Sequence, residues 1–498
     1  MATTKNGNDT PTPEQLTSKY FDSIKDNHAA LRHFFAIMPK GGDIHNHLTG
    51  SAYAETYFEL AAKKEMYVNL ETGRLYAKKP MEIETIRLSK EMDDLHNHRM
   101  TLIDKWSIRN FQPYKYPLGP DEYFFGTFGL LSALTSDIDD LAYLMHELRV
   151  RADRECVQYL EVMGISPNVP KDCFLGDDYE RYDKELKGYV KAGNIIQIEQ
   201  LLSDIFTIFE NSTEVEENVD AYIGSIQQLD KKSYKDHHEV QCRYQGYASR
   251  SGEPLKVFAQ LYVVHKGCTK DSNKLLVGCN IVAAENGEKS MLYYRLHMEM
   301  FNLLATKFPD VPTSLHAGEL TLGLVRPEHL KYHITQAVHC GKADRIGHGV
   351  DIPFESWDIC DEEVRSSDIL SVMKNRDIPV EINLTSNEFI LGVKDSEHPI
   401  SLYHKAKVPV MLCTDDPGIL RTSLTEQYAL AALRYGFSYE EIKQFVFNSI
   451  KYSFCPEKGD FNKQEQLDKL NRIFGYFENR FCSTAPTFID TEQTESAN

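Results

Sequence analysis

Several things are scarce in this chain, and each scarcity excludes something. Its 498 residues include ten cysteines but no C-x-x-C pair, and the chain is far too long for a disulfide-scaffold miniprotein. The cysteines read as mostly buried thiols in a reducing compartment. No run approaches 18 apolar residues, and residues 1–14 lack an apolar core, so neither a spanning helix nor a signal peptide is expected. The expected location is cytoplasmic, with a secreted or periplasmic protein as the alternative if a leader has been removed. Positive charge is short too. Lys and Arg total 55 against 74 Asp and Glu, a net charge of −19, which would repel nucleic acid or an acidic membrane surface. A small, neutral or weakly charged ligand fits better. No internal repeat or long low-complexity tract is visible.

What is present is alternation. Short runs rich in Val, Ile and Leu occur around Ile44 and at 156–163, 257–265, 275–282, 313–316, 344–348, 379–384 and 408–413. Most are followed by helical patterns, as at 327–340, 361–375 and 398–406. Eight such units predict a parallel α/β fold closed as a (β/α)₈ barrel. One connection resists: only nine residues, Lys266 to Lys274, separate the third and fourth runs, less than the roughly 10–12 that a parallel crossover needs. Either that helix is missing or a strand assignment is wrong. Around the barrel the sequence predicts one opening amphipathic helix (Leu16 to Phe35), a small hairpin at 66–78, a mostly helical insertion at 168–254 and a helical closing stretch at 423–482. Residues 14–482 form one domain between polar tails at 1–13 and 483–498.

Four short strings carry chemistry: His45-Asn46-His47, His316-Ala317-Gly318-Glu319, Gly347-His348-Gly349 and Thr414-Asp415-Asp416. His45 and His47 lie two apart on a strand, so both imidazoles leave one face and can grip one ion. His316 and Asp415 each follow an apolar run, which puts them at the C-terminal rim where barrel sites are built. Imidazoles and a carboxylate suit zinc. The blander alternatives are polar side chains at strand ends, a helix-start carboxylate for Glu319 and a loop cap for Asp415-Asp416 before Pro417-Gly418. The glycines around His348 would let another group approach the backbone.

In order, Met38-Pro39-Lys40 with His45-x-His47, S-L-H-A-G-E (314–319), R-I-G-H-G (345–349), T-S-N (385–387) and T-D-D-P (414–417) resemble the signature of the adenosine deaminase family. The resemblance covers about residues 31–455. The strings at 124–130 and 449–453 are more similar to its adenosine-deaminase growth factor branch, although that branch's secretion signal, dimerisation extension and disulfide-bearing insert are not evident.

The resemblance implies one zinc per chain held by His45, His47, His316 and Asp415, with an acidified water attacking C6 of an adenine nucleoside. It implies that Glu319 protonates N1, that His348 accepts or shuttles a proton and steadies the developing alkoxide, and that Asp416 meets N7. His47, Thr49, Ala283 and Asp416 would bind substrate, with a backbone N–H near Ala283 meeting N3. The H-x-E with P-C-x-x-C signature of other zinc deaminases is absent. Three positions depart from the family pattern: Ala283 replaces a glycine, Asn383-Leu384 replaces Cys-Pro, and Thr49 replaces an acid that receives the ribose 5′-hydroxyl. The implied reaction converts adenosine or 2′-deoxyadenosine to the inosine product plus ammonia. Deamination of AMP, N6-substituted or 5′-modified adenine compounds is the alternative, and a binding or signalling protein on a retired scaffold is the remaining one. The partner is a small purine nucleoside, not nucleic acid or membrane, and monomer and homodimer both stay open.

Overall fold

A computed structural model of the chain describes residues 11–234, 240–359, 362–459 and 461–484. Eight parallel strands form the centre: β1 (Gly42–His47), β2 (Tyr159–Met163), β3 (Gln241–Ser249), β4 (Leu276–Val282), β5 (Ser314–Ala317), β6 (Arg345–His348), β7 (Val380–Ile382) and β8 (Val410–Leu412). They pair in two runs, β1 to β4 and β5 to β8. Parallel bridges from Cys279 to Thr313 and from Asn46 to Asp415 join the runs at both seams. The barrel is closed, as the alternation predicts.

Seven of the eight expected runs are barrel strands, and the third is not. Residues 257–265 lie within a helix, Pro254–Lys270, whose N1 proline suits a helix start. This helix packs on β3, β4 and the neighbouring helices Thr213–Ser233 and Tyr294–Lys307, so it is buried on most of its circumference. An all-round apolar helix cannot be told from a buried strand by periodicity. The true β3, QCRYQGYAS, escaped because its barrel-facing side chains are polar. The short connection is thereby explained, and no barrel helix is missing there.

The segment 168–254 is helical through Tyr179–Ala192, Ile195–Glu210 and Thr213–Ser233, but its end is β3 and belongs to the barrel. The opening helix is two, Pro13–Ile24 and His28–Ile37, because the Asn27 side chain caps the second by accepting from the Ala30 amide at 3.0 Å. The hairpin at 66–78 is present as Tyr67–Val68 paired with Leu75–Tyr76, and Ile86–Arg87 adds a third strand. The closing stretch breaks between Tyr439–Lys451 and Lys463–Thr484. The expected tails fall almost wholly outside the described residues, though Pro13 already starts a helix and Thr484 ends one.

The barrel interior below the rim is polar but paired. Buried Arg345 donates to Glu381 and to Glu161, each at 2.5 Å, and lies 3.7 Å over the Phe454 ring. Glu161 also accepts from Gln245 at 2.9 Å, and Glu381 from Ser314 at 2.9 Å. Buried charges persist only where such partners satisfy them.

Candidate active site

At the C-terminal rim the backbone leaves ordinary geometry. Ala283 just past β4 (φ 83°), His348 at the end of β6 (φ 67°) and Asp415 past β8 (φ 64°) all adopt the left-handed conformation, which costs a residue with a Cβ of the order of 1 kcal/mol or more. Asp415 is held there by β1: its amide donates to the His45 carbonyl at 2.9 Å and its carbonyl accepts from the His47 amide at 3.0 Å. The bridge that closes the barrel therefore also sets Asp415 between the two histidines.

The side chains converge accordingly. Asp415 Oδ1 lies 3.5 Å from His45 Nε2 and 3.2 Å from His47 Nε2, and His47 Nε2 lies 3.1 Å from His316 Nε2. His45, His316, His348 and Asp415 offer ligand atoms within 4.8 Å of one another. A cavity of about 360 Å³ opens over them, and His47, Thr49, Ala283, His316, Glu319, His348, Asp415 and Asp416 line it. His45 stands behind, fully buried. All nine residues singled out from the sequence thus meet at one place. Gly347 is needed for that: a Cβ there would come within 2.8 Å of the His45 ring. At Gly50 a Cβ would overlap the Asp416 carboxylate.

Second-layer hydrogen bonds assign the lone pairs. His45 Nδ1 faces the Glu381 carboxylate at 2.6 Å, an acceptor, so Nδ1 carries the hydrogen. His316 Nδ1 faces Asn280 Oδ1 at 2.8 Å, and that oxygen also accepts from the Ile281 amide, which fixes its polarity. Both rings therefore keep an Nε2 lone pair, that of His45 facing Asp415 and that of His316 facing His47, and buried His45 Nε2 has no hydrogen-bond partner in the protein. A donor set of imidazole nitrogens and one carboxylate, backed by a carboxylate and an amide, fits a zinc-type cation.

The two adjacent aspartates are driven apart. Burial would raise Asp415, but the neighbouring His45 and His47 rings, whose Nε2 atoms face its Oδ1, outweigh it and hold its carboxyl well below the usual range. Asp416 has no such partners; burial and then the Asp415 charge push it well up. Glu319 is likewise pushed well up, by burial first and then by Asp415 and Glu285. Burial brings His348 down to about 3. Environments that split like groups this way mark acid and base roles.

Sequence inspection gave no role to the residues that hold these groups. Glu285 accepts from the Gly318 and Glu319 amides at 3.1 and 2.7 Å and is itself bound by His333 at 2.5 Å. Glu381, Asn280 and Asn387 stand behind His45, His316 and His348. An acid inside an apolar strand, as in P-V-E-I-N, was the available signal. Phe124, Phe125 and Phe128, from the helix Pro120–Leu131, form an aromatic wall of the cavity.

A family model, "Adenosine deaminase", matches residues 212–472, more than half of the chain. The chain belongs to the adenosine deaminase family. An adenosine deaminase of Plasmodium gallinaceum is 30% identical over 50% of this chain, and the match spans only 59% of that relative. An N6-methyl-AMP deaminase of Xenopus laevis is 22% identical over 87% of this chain and 94% of its own length. Among solved structures, a zinc-bound amidohydrolase of Burkholderia ambifaria superposes with a TM-score of 0.52 at 17% identity, covering 92% of this chain and 94% of that one. That likeness supports the barrel fold.

Proposed function

We propose that this protein is a zinc-dependent aminohydrolase that removes the 6-amino group of an adenine nucleoside, giving the inosine-type product and ammonia. The observation that carries it is one cavity lined together by Glu319, His348, His47, His316 and Asp415, with buried His45 directly behind. His45, His47, His316 and Asp415 would hold one zinc, which supplies Lewis acidity and acidifies water. The chain's own groups do the rest. Burial pushes Glu319 toward its protonated form, so it can hand a proton to ring N1 as C6 becomes tetrahedral and charge need not build on the ring. His348 meets the charge that develops on the oxygen added at C6. Purine N7 is an acceptor, so Asp416 must bring a proton to meet it, and burial with the Asp415 charge favours its protonated form. The Ala283 turn supplies backbone for N3.

The 5′ end favours nucleosides over nucleotides. Neither Lys nor Arg is among the described residues that line the cavity, so none of these offers a 5′-phosphate a cationic partner. Thr49 offers a 5′-hydroxyl only a neutral partner, roughly half as strong as a carboxylate. Adenosine, 2′-deoxyadenosine and 5′-deoxyadenosine should be turned over with kcat/KM within about tenfold of one another, and AMP less well. The Xenopus relative's name favours a second substrate, N6-methyl-AMP. Ammonia or methylamine release from these five compounds tests both: a strong preference for N6-methyl-AMP would replace the nucleoside reading, and no release from any would overturn the deaminase.

A further inference from the structure

A chain of hydrogen bonds behind His348 ends on its Nδ1, and its polarity is fixed at the far end. The Ile400 amide can only donate, and it donates to His398 Nδ1 at 3.2 Å. His398 is 3% exposed, and burial, with His348 and Arg434, holds it down to about 3. A neutral ring whose Nδ1 accepts carries its hydrogen on Nε2. His398 Nε2 therefore donates to Asn387 Oδ1 at 3.0 Å. With its oxygen so engaged, Asn387 presents Nδ2 to His348 Nδ1 at 3.0 Å, and Asn383 Nδ2 lies 3.4 Å from the same nitrogen. An amide nitrogen has hydrogens to give and no lone pair to offer. His348 Nδ1 must accept, so the hydrogen of its neutral ring sits on Nε2. That atom is buried and finds no partner in the protein.

We propose that His398, acting through Asn387, is a positioning residue that sets the tautomer of His348, so that His348 serves the deamination as an Nε2–H hydrogen-bond donor and transfers no proton itself. The proposal rests on the deaminase reading for its kinetics but not for the tautomer. It also sorts three of the four histidines. His45 and His316 have their hydrogens pinned on Nδ1 and keep Nε2 lone pairs, whereas His348 has the opposite arrangement and no lone pair for a cation. Two of the relay's members, His398 and Asn387, lie outside the cavity lining, so their substitution need not touch substrate.

The test uses the metal-loaded, 15N-histidine-labelled protein, with His348 resonances identified by their loss in His348→Gln. Wild type should show a protonated Nε2 and a bare Nδ1 at His348. Asn387→Asp can only accept and should move the hydrogen to Nδ1, lowering kcat by about 10²–10⁴-fold. His398→Leu should lose the single-tautomer signature and lower kcat about 10- to 100-fold with KM nearly unchanged. His398→Gln, whose amide can still donate to Asn387, should recover most of both. A wild-type His348 with its hydrogen on Nδ1, or unchanged tautomer and kcat in His398→Leu and Asn387→Asp, would overturn the relay even in an active deaminase. If His398→Leu does not fold, the wild-type and Asn387→Asp spectra decide. An Nε2–H signature in a protein that deaminates no adenine compound would leave the relay standing and remove the deaminase reading instead.

Discussion

The rim of the barrel and the interior beneath it are a few ångströms apart and follow opposite rules. In the interior, Arg345, Glu161, Glu381, Gln245 and Ser314 are buried, in extended strands, and joined to one another. At the rim, Ala283, His348 and Asp415 are in left-handed backbone, and buried polar atoms such as His45 Nε2, His348 Nε2 and Asp416 Oδ1 lack protein partners. Strain and unmet polarity are tolerated where an outside group completes the site, and the satisfied layer below holds them in place.

The largest effect should come from the rim. Asp415→Ala removes the carboxylate that faces His45 and His47, and should lose bound metal and activity together; elemental analysis showing one zinc per chain in wild type and none in the variant checks it. Retained zinc would break the assignment of Asp415. Next, Glu319→Gln should keep metal and nucleoside affinity while kcat falls about 10²–10⁴-fold, as read by steady-state kinetics and a binding isotherm. Turnover near wild type would reduce Glu319 to a structural acid.

The interior should answer differently. Glu161→Gln leaves Arg345 short of one buried partner and should lower unfolding free energy by about 3–5 kcal/mol, with zinc affinity little changed. Glu381→Gln, which also touches His45 Nδ1, should in addition weaken metal binding about 10- to 100-fold. Denaturant titration and metal competition separate the two.

Acid sharpens the same contrast. Burial would raise Glu285 and Glu381, but His333 and Arg250 around the first, and Arg345 and His45 around the second, bring both down to about 2. A carboxyl depressed in the folded state stabilises above its unfolded pKa, so this contribution is present above about pH 4.5 and is lost as pH falls toward 2. Denaturant midpoints measured between about pH 5 and pH 3 should decline, and less steeply in Glu285→Gln. The smallest effect is at Ala283, where Ala283→Gly relieves left-handed strain and should raise stability by about 1 kcal/mol and lower KM for a purine nucleoside.

While Thr49 and Ala283 came only from the family resemblance, the sequence by itself determined the barrel, seven of its eight strands and the histidines and acids that meet at the rim. Those are local facts: an H-x-H pair on one strand face and a histidine or acid after an apolar run are visible at short range. Tertiary structure decided β3, because its residues face a polar interior that hides the β pattern, while the buried helix beside it imitates a strand. It also decided which nitrogen each histidine offers. Glu381, Asn280 and Asn387 lie 336, 36 and 39 positions from the rings they orient, and only barrel closure brings such distant donors and acceptors within hydrogen-bond reach.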